Sequence, residues 1–380
     1  MAAEFLDNFR QNYLDPTLRF TALKDVDTSW LSSWIPTLPP AFYAFFAPLA
    51  YLRLQILADY ILTHLPPTLN VSLAPILALA DFTLVSLRTI QTGTSSALDT
   101  WVLCPGLHHQ SKAATLHEGE YPATAALTTG YVFRTENQAM VHFLQKIGVT
   151  GSLVTLDVKE CEPINPTFEF FLGPGGIDIF HIIAIILTQQ VLGVCESIGD
   201  QWARAAISMM IASRVLNLIA IRRRLAPEWH GAREPGVKGD LLVLLSQDRW
   251  VRIHGLVDDL KAVTSGQWLK DQTFVEQCLV DAGTFLVYAA VVVGSNASQK
   301  GAVMIAMLLL VSSGLIALSN LTGGRRFWMH GRVVEVVGQP KKYERRRILA
   351  DELIEETGRD DWAVQMGMIP GKEKAGLAIM

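Results

Sequence analysis

Apolar residues run in stretches near twenty long, and the polar segments between them hold most of the Lys and Arg. At about 1.5 Å of rise per residue, twenty helical residues cover the roughly 30 Å of a bilayer's hydrocarbon. Residues 301 to 319, GAVMIAMLLLVSSGLIALS, carry no charge and predict a membrane-spanning helix. A second span, 276 to 294, precedes it with Asp281 near one end, and the two make a hairpin around GSNASQK. A similar hairpin is expected from 176 to 194 and 203 to 221. Its first arm starts with Asp178 and His181, and its second holds Arg214, whose long stem is expected to reach the following interface. Ala205, Ala206, Ser208, Ala212 and Ser213 allow close approach of neighbouring helices.

The first third is harder to read. Segments 39 to 62 and 71 to 90 have spanning length but contain Arg53, Asp59, Asp81, Arg88 and internal prolines. A central charge in lipid costs several kcal/mol unless paired, about 2.5 to 3.5 on insertion scales. These segments are therefore either two spans, with Asp59 and Asp81 facing Arg53 or Arg88, or interfacial helices. The expected fold class is an all-α integral membrane protein: a polytopic bundle of four to six transmembrane helices with small mixed α/β cytosolic segments. The domains expected are an interfacial start (1–38), a first membrane hairpin (39–90), a mixed region (91–175), a second hairpin (176–221), a cytosolic loop (222–275), a third hairpin (276–321) and a cytosolic tail (322–380).

The interhelical segments predict local order. The stretch VTGSLVTLDVKECE, 149 to 162, alternates Val154, Leu156 and Val158 as a strand does, and 241 to 245, 251 to 254 and 333 to 337 give further short strands. A helix is expected from 256 to 263. Another is expected after Pro340, placed early in it, and should end before Gly358, with Arg347 and Asp351 spaced to pair. The basic run, tryptophan and His-Gly of RRRLAPEWHG (222–231) recur in GRRFWMHG (324–331), an echo that suggests a duplicated helix pair with a following strand.

Charge placement sets the orientation. The loop 222 to 275 carries nine Lys or Arg and the tail 323 to 380 eleven, so both, with both termini, are expected in the cytosol. Asn70 and Asn296 then lie in sequons on the other side, as glycosylation candidates in the endoplasmic reticulum or another endomembrane, with the plasma membrane the alternative, while Asn320 stays unmodified. Charged residues make up only 18% of the chain, against about a quarter in soluble domains. The formal net charge of −4 gives no electrostatic reason to expect a nucleic-acid partner. The first thirty residues lack the unbroken apolar core of a signal peptide.

Four scattered cysteines without metal-ligand spacing, and the absence of GxxxxGK[ST], HExxH and GxSxG, predict neither a metal nor a cofactor. The Gly-rich FFLGPGGIDIF (170–180) reads as a tight entry to a span. The candidates for chemistry are the ionisable residues in or near hydrocarbon, Asp59, Asp81 and Asp281, and the membrane-surface histidines His230 and His330. Taken together, these features predict a non-catalytic membrane scaffold or assembly component. Its partners would be the bilayer and a protein docked on the 222–275 loop and the tail. An intramembrane enzyme acting on a lipid-like molecule and a transporter or channel are the alternatives.

Overall fold

The computed structural model describes residues 63, 83–110, 116–161, 166–174, 178–225 and 231–370. In chain order the elements are α1 (Leu84–Thr92), a 3-10 helix (Ala97–Trp101), β1 (Ala123–Ala126), β2 (Val132–Arg134), α2 (Gln138–Ile147), β3 (Ser152–Glu160) and α3 (Pro166–Leu172). They continue as α4 (Ile179–Ser197), α5 (Gln201–Arg224), β4 (Lys238–Leu245), β5 (Arg249–Leu256), α6 (Val257–Thr264), α7 (Phe274–Gly294), α8 (Gln299–Thr322), β6 (Arg326–Met329), β7 (Arg332–Lys342), α9 (Arg346–Thr357) and α10 (Asp361–Gln365).

Four of these helices, α4, α5, α7 and α8, are long and apolar enough to cross a membrane, and each covers one of the four later expected spans. They begin where capping chemistry allows. Asp178 accepts from the His181 backbone N–H at 3.0 Å and Asp200 from that of Ala203 at 3.0 Å, while Thr273 and Glu276 form a reciprocal capping box. Asp200 also accepts from the Ser298 backbone (2.8 Å) and hydroxyl (2.6 Å), so one carboxylate ties the tip of the α4–α5 hairpin to that of α7–α8. Small residues bring the helices together. A Cβ on Gly301 would fall 2.2 Å from the Asp200 carboxylate and 2.9 Å from the Ala203 Cβ.

The all-α expectation is overturned by a seven-stranded mixed sheet in the order β2-β1-β4-β5-β3-β7-β6. Its strands come from separate polar stretches, and their alternation splits the apolar residues between two faces. Val154, Leu156, Val158, Leu241, Val243, Val251, Ile253 and Phe327 pack with α1, α2, α6 and Trp268 on one face. Leu153, Leu242 and Trp250 pack on the other with Leu349, Leu353 and Trp362 from α9 and α10. The loop and the tail, read separately in the sequence, thus build one domain. Arg252 bridges Asp240 and Glu356, and Arg332 meets Asp259 at 2.7 Å.

Pro340 does not open a helix. It lies within β7, where the register against β3 shifts between Leu153 and Thr155, beside Gly338 in the left-handed region. A bulge tolerates a residue with no N–H to give, and pairing with β3 outweighs the local helix-start signal. The helix starts instead at Arg346, and Gly358 caps it in the left-handed conformation.

Each long hairpin is followed by a β-hairpin: α4–α5 by β4–β5, and α7–α8 by β6–β7. The two β-hairpins flank β3, with β5 parallel to it and β7 antiparallel. Opposite strand senses on the two sides of one central strand are what a two-fold axis normal to the sheet at β3 requires.

Candidate functional site

A polar cluster lies where α4 begins and α8 ends, beside α1, the 3-10 helix and the middle of α5. Arg88 on α1 reaches the Asp178 carboxylate (3.1 Å) and the Ser319 hydroxyl (2.8 Å), and Ser319 donates to Asp178 at 2.5 Å. The Arg88 Nε lies 3.5 Å from Asp99, and the His181 Nε2 lies 3.0 Å from the same carboxylate oxygen. Asp99 sits in the 3-10 helix, where Ser96 N–H donates to it at 2.6 Å. The Arg214 guanidinium faces the Asp99 carbonyl at 3.4 Å. Leu103 and Leu107, just beyond the 3-10 helix, are fully buried with α5, α7 and α8 residues.

Arg88 meets Asp99 and Asp178. Asp59 and Asp81, its expected partners, lie outside the described residues. One expectation is corrected here. Arg214 is only 4% exposed and turns inward to a carbonyl instead of reaching for headgroups, because the 97–107 segment offers an acceptor within the bundle. Asp99 was missed by sequence reasoning. Its signal was the Ser96-x-x-Asp99 spacing, a capping box that is formed in full.

A cavity of about 670 Å³ lies where the sheet domain meets the end of α8. Gln91 of α1, His142, Phe143 and Lys146 of α2, the turn Glu118 to Glu120, Arg249 of β5, and Asn320 of α8 contribute to its lining. Glu120 accepts from the Ser246 backbone (2.6 Å) and the Gln145 amide (2.7 Å). Burial pushes its carboxyl up, but these bonds and the Arg249 charge hold it below the usual range. Partial burial pushes the His142 imidazole down, favouring its neutral form. Lys146 Nζ donates to the Asn320 carbonyl at 3.2 Å, and partial burial lowers its ammonium pKa. A Cβ on Gly323 would meet the Gln91 amide at 2.2 Å, so glycine lets α8 end against this wall. None of Arg88, Asp99, Asp178 and His181 lines this cavity.

The remaining candidates are dispersed. Asp281 is exposed on α7 and accepts from the Gln277 amide one turn back at 2.8 Å. His330 occupies the β6–β7 turn at φ 47°, and its carbonyl accepts from Arg332 at 3.0 Å. Neither lines the junction cavity. His230 lies outside the described residues, as does Asn70. Asn296 is exposed at a hairpin tip, and its amide donates to the Val292 carbonyl at 3.2 Å. No group of three or more His, Cys, Asp or Glu suited to a metal occurs among the described residues.

No family model, curated protein or solved structure matches this chain. Function must therefore be argued from the geometry alone.

Proposed function

We propose that this chain is an integral membrane protein and a non-catalytic scaffold, its four long helices crossing the bilayer and its sheet domain displayed on the cytosolic side. The observation that carries this reading is the pattern of exposure along the long helices. Ile179, Ile183, Phe285, Val292, Leu310, Leu318 and Leu321 all face outward, while Arg88, Asp99, His181 and Arg214 are turned inward and joined to one another. Water disfavours such a surface and lipid favours it. Polar groups joined in this way hold elements together, as glue between helices does.

The cytosolic assignment draws on the basic 222–275 and 323–380 segments, which pack into the one sheet domain at the helix ends. An endomembrane location is the reading that follows. Asp281 gives an intramembrane-enzyme reading little support, because it is held by Gln277 on an outer face. A protein partner fits the solvent-facing side of α9, where Arg347 and Asp351 are well exposed.

The protein should resist alkaline extraction from membranes and require detergent for release. On a native gel it should run in an assembly larger than its own 41.9 kDa. Replacing Arg347 and Asp351 together by Ala should reduce that assembly without lowering the unfolding temperature. Release by alkali would sink the membrane reading, and an unchanged single-chain species in both forms would sink the scaffold reading.

A further inference from the structure

We infer that the outward face of α7 docks a membrane-spanning helix of a partner protein, one that carries an Arg or Lys in its apolar stretch to meet Asp281. The inference deepens the scaffold reading above by naming a partner within the bilayer, and it rests on the membrane reading of the four long helices.

Charge placement singles out the residue. Among the charged side chains of α4, α5, α7 and α8, only Arg214 and Asp281 lie more than four residues from a helix end. Arg214 is enclosed and meets the Asp99 carbonyl, whereas Asp281 is exposed. Asp281 stands seven residues in from Phe274, the first residue of α7. That is about 10 Å along the helix axis, where lipid makes a lone charge costly. Among the described residues its carboxylate accepts from Gln277 on the same helix at 2.8 Å and meets no cation. Glu276, near the start of α7, has Arg223 of α5 at 3.3 Å for its partner.

The face around Asp281 has the spacing of a helix–helix seam. Phe274, Cys278, Asp281, Phe285, Tyr288 and Val292 recur at alternating steps of four and three residues, and all six are exposed. The row runs nearly the length of α7. Only 22% of the apolar window of this helix is buried, against 44% to 56% in the other three long helices, so α7 is the least covered of the four. A polar residue at one position of such a seam selects the partner and fixes its register. A second copy of this chain is a poor occupant. With both copies inserted the same way, a symmetric pair of α7 helices sets Asp281 against Asp281, and like charges repel. A cation on the facing helix instead gives both charges a partner away from water.

The test uses the full chain reconstituted in phosphatidylcholine vesicles with dansyl-labelled polyleucine peptides of spanning length. These carry Arg, Asp or Leu at the depth of Asp281, and binding is read by energy transfer from the protein's tryptophans. The Arg peptide should bind about tenfold more tightly than the Leu peptide, the worth of one polar contact between helices in lipid. The Asp peptide should bind no better than the Leu peptide. Asp281→Leu should abolish the preference for Arg and Asp281→Glu should keep it, both at the wild-type unfolding temperature because the side chain is exposed. Equal binding of the Arg and Leu peptides, or a preference that survives Asp281→Leu, overturns the proposal. So does self-association of the chain that Asp281→Leu abolishes, which would give the face to a second copy. A protein that resists alkali and assembles on the native gel, yet shows no peptide preference, loses this site alone.

Discussion

The helical bundle and the sheet domain solve opposite solvation problems with the same chain. In the sheet domain Trp250, Trp268, Trp362 and Phe327 are sealed inside, while charged pairs such as Lys341 with Glu352 and Arg359 with Asp361 stand at the surface. The bundle turns this round. Phe285 is 71% exposed and Val292 67%, whereas Asp99, His181 and Arg214 are enclosed. A buried phenylalanine means little by itself; what distinguishes the regions is where each puts its charges. Lys341–Glu352 and Arg359–Asp361 stand where water already screens them, and such pairs contribute about 0 to 1 kcal/mol each, although Arg252 with Asp240 is shielded even in the sheet domain. In the bundle the group of Arg88, Asp99 and His181 is shielded, and losing one partner weakens the hold on the rest.

The sharpest way to break this contrast is to remove the carboxylate at the centre of the cluster. Asp99→Ala should destabilise the protein by about 3 to 5 kcal/mol, because the buried His181 loses the carboxylate it faces and Arg88 keeps only Asp178 as counter-charge. Denaturant unfolding in detergent measures it, and a loss below about 1 kcal/mol would show that the cluster contributes little. Next in size is Phe327→Ala, which empties a fully buried site stacked on Phe143 at 5.3 Å between ring centres. About 3 to 5 kcal/mol is expected.

A smaller effect is expected at the hairpin tips. Burial raises the Asp200 carboxyl, yet the Ser298 hydroxyl and three backbone N–H groups hold it below its ordinary value. A carboxylate depressed in the folded state stabilises above its unfolded pKa of about 3.9, and that contribution is lost as the pH falls through the folded value. Asp200→Asn should therefore cost about 1 kcal/mol near pH 7, with the two melting curves converging below about pH 4. A gap that persists unchanged in acid would assign the loss to geometry rather than charge. The smallest effect belongs to Phe285→Ala, at most about 0.5 kcal/mol in detergent; a loss matching Phe327→Ala would mean that this face of α7 is covered by protein.

The long helices were legible because their signal is local: twenty apolar residues and a cap suffice to announce each one. Parts of individual strands, within 149–162 and at 241–245, 251–254 and 333–337, were legible too, since alternation is a property of neighbours in sequence, but the end of β7 beyond Pro340 was not. Their union in one sheet was not, because β3 pairs with residues nearly a hundred positions later in β5 and further still in β7. β1, with the sequence ATAA, carries no β-branched run beyond one Thr and gave no signal at all. The buried cluster was half visible. Arg88, His181 and Arg214 stood out as ionisable residues in apolar surroundings, but their common partner Asp99 lies in a segment that reads as a loop.

β3 is also synthesised before either of the hairpins that come to enclose it. From that moment until β7 leaves the ribosome, at least one of its edges presents unpaired backbone groups, and the last helical pair must be threaded between the two closures. Nascent chains arrested before β6 should thus carry an open template for strand addition. A chaperone that shields such edges would be needed during synthesis and dispensable once the terminal hairpin has docked.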